Sequence, residues 1–342
     1  MGNEHAFPSG VPQLAIDPRP FVGSRGMLII SADRIHSANG GIMKLLAAGV
    51  AACVLIMTGC GSANQEQEES SFDVGGELAA PTLRTIALTT GVTLQYLEQG
   101  RPNGAPVIFL HGYTDSHHSF DLNLPIFPRR HHVYALDQRG HGGSSKPACC
   151  YTQNDFSNDV IAFMDQLGIA SATLVGHSMG SFVAHQVAAE HPSRVDKLVL
   201  VGSATTVAGN PGALELKSAV DTLVDPIDPE FVRAFQASTF FQPIPETFLD
   251  TAVSESLRVP ASIWKQALDG LIAEDHTAAL AQITAETTIF WGDQDVFFFA
   301  EHQTAVVAAI PGSTLVTYPQ TGHGLHVERP VRFVRDMRRI LR

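Results

Sequence analysis

The stretch TLVGHSMGSF, Thr173 to Phe182, sets one small hydroxyl, Ser178, between Gly176 and Gly180, directly after an apolar run. A serine hydroxyl is a poor nucleophile at neutral pH. It becomes a good one only where a base takes its proton, an acid orients that base, and N–H donors receive the charge that develops on the attacked carbonyl. The chain holds material for each part. Two carboxylates, Asp293 and Asp295, stand in WGDQD, and two imidazoles, His323 and His326, stand in YPQTGHGLHVERP. Serine, then acid, then histidine is the chain order expected when G-x-S-x-G lies between a strand and a helix. Glycines suit positions 176 and 180 because side chains there would collide with backbone across a sharp strand-to-helix turn. The helix that follows aims its first N–H groups at the reacting oxygen.

Those residues need a frame, and the hydrophobic pattern predicts one. PVIFLHG, HHVYALDQRG, ATLVG and DKLVLVGSA contain short continuous apolar runs, as strands covered on both faces do. RTIALTTGVTLQYLEQG reads as a hairpin turning at Thr90–Gly91. Between the strands, DFSNDVIAFMDQLGI puts Phe156, Val160, Met164 and Leu167 on one helical face, and SFVAHQVAAEHP is a second helix. Strands alternating with helices predict an α/β protein with a mainly parallel, doubly wound sheet. The alternation stops over 205–285, where ALELKSAVDTLV, DPEFVRAFQAS, PETFLDTAVSESL, PASIWKQALDGLIAE and HTAALAQI all read as helices, several opening on proline. This is expected to be an all-helical cap inserted into the core. Strands resume with TTIFWGDQD and STLVTYP around the helix EHQTAVVAAI, and VRFVRDMRRILR closes the chain. The expected core is therefore 84–204 with 286–342.

Over Arg84 to Leu341 the chain resembles the α/β-hydrolase fold superfamily, and the resemblance resolves the alternatives. Members often end the strand before the acid with W-G-x-x-D, the second Asp being catalytic, which implies Asp295 over Asp293. The chain departs from the family in having VFFFAEH where a proline commonly follows the acid. A Gly-His pair followed by Glu and Pro matches Gly322, His323, Glu328 and Pro330, which implies His323 as the base. FLHGYTDS resembles the family's His-Gly-x turn, which implies the backbone N–H of Tyr113 as one oxyanion donor, with the N–H of Met179 as the other. His111 is expected to brace that turn, and DQRGHGGSSKP to be a structural loop near the site. No cofactor and no metal are implied, and the histidine doublets 117–118 and 131–132 lack metal-ligand spacing.

The 342 residues are 44% hydrophobic and 16% charged, a globular composition with room for one large domain or two ordinary ones. The net charge of −12, without a basic stripe, excludes nucleic acid as an expected partner. At the N-terminus, Lys44 precedes an apolar run from Leu45 to Met57, shorter than the roughly 20 residues a membrane span needs and suited to a secretory signal. The run ends in MTGC, which resembles the lipobox of bacterial lipoproteins and implies lipid attachment at Cys60. The expected organisation is a non-native leader over 1–42, with Met43 as the true start, a signal peptide over 43–59 and a flexible tether over 60–83. The expected location is the bacterial cell envelope, at the outer membrane if the host has one. Of the remaining cysteines, the adjacent pair Cys149 and Cys150 is expected to be two free thiols, since neighbours seldom form disulfides.

The expected activity is hydrolysis of a small carboxylic ester through an acyl-enzyme. Phe240, Phe241, Trp264 and Phe297 are the candidates to line an apolar substrate pocket. Lactone hydrolysis, carbon–carbon bond hydrolysis and cofactor-free peroxidation use the same three residues, and a non-catalytic ligand-binding protein is the alternative from another class. The oligomeric state is not legible.

Overall fold

The computed structural model of the protein describes residues 79–342. The leader, the signal peptide, Cys60 and most of the tether lie outside the described residues. No helix among the described residues is long and apolar enough to cross a membrane.

An eight-stranded sheet organises the described chain, in the order β1-β2-β4-β3-β5-β6-β7-β8. The strands are β1 (Ala79–Ala87), β2 (Thr93–Gly100), β3 (Pro106–Leu110), β4 (His132–Asp137), β5 (Ala172–His177), β6 (Val195–Val201), β7 (Glu286–Gly292) and β8 (Thr314–Tyr318). β1 and β2 form the antiparallel hairpin, β2 pairs antiparallel with β4, and every later pairing is parallel. The hairpin turns as expected: Gly91 sits at φ +84°, a conformation that glycine adopts without a steric penalty, and donates to the Leu88 carbonyl at 3.1 Å.

Because successive strand residues point to opposite faces, the central strands feed two cores. Ile108, Leu110, Leu174, Leu198 and Leu200 pack on one side of the sheet. Their neighbours Val107, Phe109, Val175, Val199 and Val201 pack on the other. The first layer takes α1 (Gln153–Gln166) and α2 (Met179–Glu190). α1 starts on a capping box in which Thr152 and Asp155 satisfy each other's backbone N–H groups.

Between β6 and β7 the chain runs through α3 (Pro211–Val220), α4 (Pro229–Ser238), α5 (Glu246–Leu257) and α6 (Ala261–Ala273), then a 3-10 turn at Ala279–Gln282. That turn is all that HTAALAQI forms, where a helix was expected. The only β-pairing in this segment among the described residues is one isolated bridge between Thr206 and Asp275. α7 (Ala300–Ala309), the short α8 (Leu325–Glu328) and α9 (Pro330–Ile340) complete the fold. The second layer takes α9 through Phe333, Val334 and Met337.

Two further expectations change. The sheet begins at Ala79, inside the segment expected to be tether, because Thr82 to Ala87 pair in register with Glu98 to Thr93. Cys149 and Cys150 are joined in a disulfide, their Cα atoms 3.8 Å apart. A left-handed turn at Cys150, φ +81°, with its carbonyl held by Arg139 Nη1 at 2.7 Å, accompanies the pairing of these neighbours.

Candidate active site

Ser178 sits between the end of β5 and the start of α2, with φ +50° and ψ −119°. A non-glycine residue held there stores on the order of 1–3 kcal/mol of strain, which the surroundings must offset. Three contacts do so. Ser178 N–H donates to the Val201 carbonyl at 2.9 Å, and the Ser178 carbonyl accepts from Ser181 through its N–H at 2.8 Å and its Oγ at 2.6 Å. The flanking glycines are a steric requirement. A Cβ on Gly176 would lie 2.3 Å from the Gly180 carbonyl oxygen, and one on Gly180 would lie 2.3 Å from that of Leu110. The elbow is thus pressed against the end of β3, from which the His111–Gly112–Tyr113 turn departs.

His323 and Asp295 arrive from the far side. His323 Nδ1 contacts Asp295 Oδ2 at 2.8 Å. An ionised carboxylate only accepts, so Nδ1 carries the hydrogen and Nε2 presents its lone pair. The other Asp295 oxygen accepts from the N–H groups of Phe297 at 2.8 Å and Phe298 at 3.0 Å, which fixes the carboxyl plane at the end of β7. Both side chains are almost completely buried. Asp293, the competing carboxylate, is exposed and caps the turn at Gln320 N–H. His326, the competing imidazole, contacts Ser119 Oγ through Nε2. Its ring lies 4.4 Å from that of His177 and does not meet a carboxylate.

The serine and the histidine each contact one of two adjacent residues at the end of β6. Ser178 is bonded to Val201, and His323 packs on Gly202, where a Cβ would stand 2.9 Å from the imidazole Nδ1 and Cε1. Ser178 and His323 line one cavity. The His323 loop is pinned from behind by Glu328. Its Oε1 accepts from Gly322 N–H at 2.8 Å and Phe241 N–H at 3.0 Å, and its Oε2 accepts from Gln242 N–H at 3.0 Å.

Tyr113 and Gly112 border the same cavity, and the amide N–H groups of Tyr113 and of Met179, the first residue of α2, are left without an acceptor among the described residues. His111 holds the turn that carries Tyr113. Its Nδ1–H donates to the Gly112 carbonyl at 2.8 Å, and its Nε2 accepts from Gln138 N–H at 3.0 Å. Burial pushes this imidazole down to about 4, so it stays neutral and keeps both bonds. The Tyr113 hydroxyl donates to the Trp264 carbonyl at 2.6 Å, tying the turn to α6.

The cavity wall differs from the expected one. Phe240 and Phe297 line it. Trp264 does not: it is fully buried behind the wall, edge-on to the rings of Tyr113 and Phe235. Phe241 does not either: half its surface is in solvent and only its backbone serves the site, through Glu328. The aromatic and aliphatic wall is completed by Phe235, Phe248, Leu268, Leu271 and Phe298. The polar part of the wall includes Asp115, Ser119, Gln236, Glu255, His177 and His326, of which the sequence singled out His326 alone. Asp115 lies two residues beyond Tyr113 in the same turn, a proximity that was legible. Gln236 and Glu255 lie on α4 and α5, and no local pattern separates them from solvent-facing helical residues.

The electrostatics of the polar wall follow from burial. His177 is pushed well below the usual imidazole range by burial, with His326 and His323 adding to the effect. His326 is lowered to about 3 by burial and by His323 beside it. Both are neutral near pH 7. Burial also raises Asp115 to about 6, against hydrogen bonds from Gln236 and Ser119 that favour its charge. Of the doublet histidines, His117 pairs with Asp137, His118 with Asp121 and His132 with Glu98, each at 2.7 Å. No cluster suited to a metal ion occurs among the described residues.

Comparison with known proteins identifies the family. Residues 105–330 match the family described as alpha/beta hydrolase fold. The AB hydrolase superfamily protein YisY of Bacillus subtilis is 29% identical over 241 residues, 66% of this chain and 87% of that protein. The 2-hydroxymuconate semialdehyde hydrolase of a Pseudomonas species is 26% identical over 280 residues, 78% of this chain and 93% of that protein. Among solved structures, an esterase from Exiguobacterium antarcticum shares the fold, with a TM-score of 0.69 at 24% identity, covering 75% of this chain and 98% of that one. The chain belongs to the α/β-hydrolase fold family.

Proposed function

We propose that the protein is a serine hydrolase that cleaves a carboxylic ester of a small substrate with an apolar part, through an acyl-enzyme. One observation carries the reading: an imidazole whose Nδ1 is held by a buried carboxylate lines the same cavity as a serine on a strained strand-to-helix turn. His323 Nε2 takes the proton as Ser178 Oγ attacks the ester carbonyl. Asp295 keeps the hydrogen on Nδ1 and stabilises the imidazolium that forms. The N–H groups of Tyr113 and Met179 receive the oxyanion, and each such donor is worth on the order of a hundredfold in rate. His323 then protonates the departing alkoxide. Water, deprotonated by the same nitrogen, releases the acid and restores the serine.

In this reading α3 to α6 act as a cap. Phe235, Phe240, Phe248, Leu268 and Leu271, from α4 to α6 and the connection between them, form with Phe297 the apolar side on which the substrate rests. The lipobox-like MTGC supports a further part of the proposal, that Cys60 bears a lipid and tethers the enzyme to the cell envelope. Intact-mass measurement of the protein from its host tests that part.

A fluorophosphonate probe tests the chemistry. Wild-type protein is expected to be labelled and to hydrolyse p-nitrophenyl butyrate, and Ser178→Ala to do neither. Absence of labelling in folded wild-type protein would favour a ligand-binding role and overturn the hydrolase reading.

A further inference from the structure

The mechanism above uses none of the acidic groups on the polar wall of the cavity, yet two carboxylates face it. Asp115 is held by Gln236 Nε2 at 3.0 Å and by Ser119 Oγ at 3.3 Å. Glu255, on α5, is more than nine-tenths buried. Arg258, whose side chain is half exposed, donates to its Oε1 at 2.8 Å. Its Oε2 is buried and has no hydrogen-bond partner. The neighbours that could satisfy that oxygen are already engaged. Gln236 gives its amide hydrogens to Asp115 and Ser256, and Ser256 gives its own to the Thr114 carbonyl.

No lysine or arginine lines the cavity among the described residues. His118 also borders the cavity, but its Nδ1 contacts Asp121, and the Lys146 ammonium bonds the carbonyls of Gly142 and Ser144. His177 and His326 are neutral, and each keeps a buried Nδ1 without a partner. A buried acceptor on a carboxylate costs free energy until a donor reaches it, and two carboxylates sharing one apolar cavity favour a positive charge between them.

We propose that Glu255 and Asp115 form a subsite for a protonated amine carried by the substrate. The proposal rests on the reading of the cavity as the site of a serine hydrolase, and gives its substrate class: an ester whose one part is apolar and whose other part bears a basic nitrogen. The ammonium donates to Glu255 Oε2 and shares its charge with Asp115, and the adjoining aromatic rings accept its alkyl groups.

The test compares two esters of the same shape near neutral pH, dimethylaminoethyl butyrate, which carries the ammonium, and isopentyl butyrate, which carries carbon in its place. Each is measured as a substrate and as a competitor of p-nitrophenyl butyrate, so the comparison stands even if one is not turned over. Wild-type enzyme is expected to favour the amine ester by about tenfold or more in kcat/KM or in inhibition, and Glu255→Gln to bring that ratio close to one. Asp115→Asn reads the same ratio should Glu255→Gln fail to fold. A wild-type ratio near or below one, or a ratio untouched by these substitutions, overturns the subsite. So does an isopentyl ester bearing a hydroxyl at the branch carbon that matches the amine ester, since charge would then be irrelevant. Fluorophosphonate labelling separates this failure from failure of the hydrolase reading, because it reports on Ser178 whatever the ester.

Discussion

Replacing Asp295 with asparagine tests the site at the atom on which its proton logic turns. In the native arrangement one carboxylate oxygen accepts two backbone N–H groups, from Phe297 and Phe298, and the other accepts His323 Nδ1–H. Asparagine has a single accepting oxygen and must choose. Turning that oxygen to His323 aims the amide's own hydrogens at the two backbone donors and leaves both buried without an acceptor, at about 1–3 kcal/mol each. Keeping it on the backbone costs neither bond but sets the side-chain NH2 against His323 Nδ1. The second arrangement is favoured by several kcal/mol. It has a chemical consequence: a donor facing Nδ1 forces the imidazole hydrogen onto Nε2, the nitrogen that must take the proton from Ser178. The base is then present, in place and in the wrong tautomer. The corresponding change in a Ser-His-Asp triad lowers kcat by about 10⁴-fold, which is about 5.5 kcal/mol of barrier. The assay is kcat and KM for p-nitrophenyl butyrate, beside thermal unfolding to show that the fold survives. Expected are a kcat loss of about three to four orders of magnitude and a nearly unchanged KM. A loss below about thirtyfold, or an equal loss from Asp293→Asn, would refute the assignment of Asp295.

Three further outcomes follow from the same geometry. Gly180→Ala forces a Cβ to within 2.3 Å of the Leu110 carbonyl oxygen, a backbone atom that cannot swing aside, so the variant should lose about 2–3 kcal/mol of stability; a change below about 0.5 kcal/mol in denaturant unfolding contradicts the steric reading of the elbow. Glu328→Gln leaves one accepting oxygen for the three N–H groups of Gly322, Phe241 and Gln242, so the His323 loop should loosen and kcat fall by about ten- to a hundredfold with labelling slowed in proportion; wild-type kinetics would show that the loop needs no such pin. Asp115 carries a pH signature: its folded value of about 6 lies above the ordinary 3.8, so the fold binds this proton more tightly than the unfolded chain does. Its contribution to stability is present below about pH 4 and is lost as pH rises through 6, by up to about 2 kcal/mol after allowing for water in the cavity. Asp115→Asn should therefore gain stability relative to wild type between pH 4 and pH 8, and a flat difference in unfolding free energy across that range refutes the raised value.

The parts of the fold that were legible are those where burial leaves no choice of residue. β3, β5 and β6 are covered on both faces, so nearly every position is apolar and the runs PVIFL, ATLVGH and VDKLVLV stand out. β1 lies at the edge of the sheet and its signal is weak: Leu83 is 53% exposed and no in–out alternation marks the strand, so its first residues merged with the polar segment before them. The bond between Cys149 and Cys150 comes with a left-handed backbone turn at Cys150, which the neighbouring sequence does not announce.

The site divides along the same line. Ser178, Asp295 and His323 carry local signatures because each sits at a strand end whose geometry restricts its neighbours: glycines at 176 and 180 for close approach, Gly202 under the imidazole, Gly322 against Glu328 and the Phe241 backbone. The cavity wall carries none, since a helix from the inserted segment presents a residue to substrate or to its own packing according to a rotation that only the tertiary fold sets. Trp264 was the most conspicuous aromatic in that segment and proved to be the anchor behind the wall, bonded through its carbonyl to the Tyr113 hydroxyl. That contact ties α6 to the turn that carries Tyr113. In the proposed function, substrate preference then depends on helices whose sequence shows little of their orientation, and on polar residues such as Glu255 that look like surface until the fold buries them.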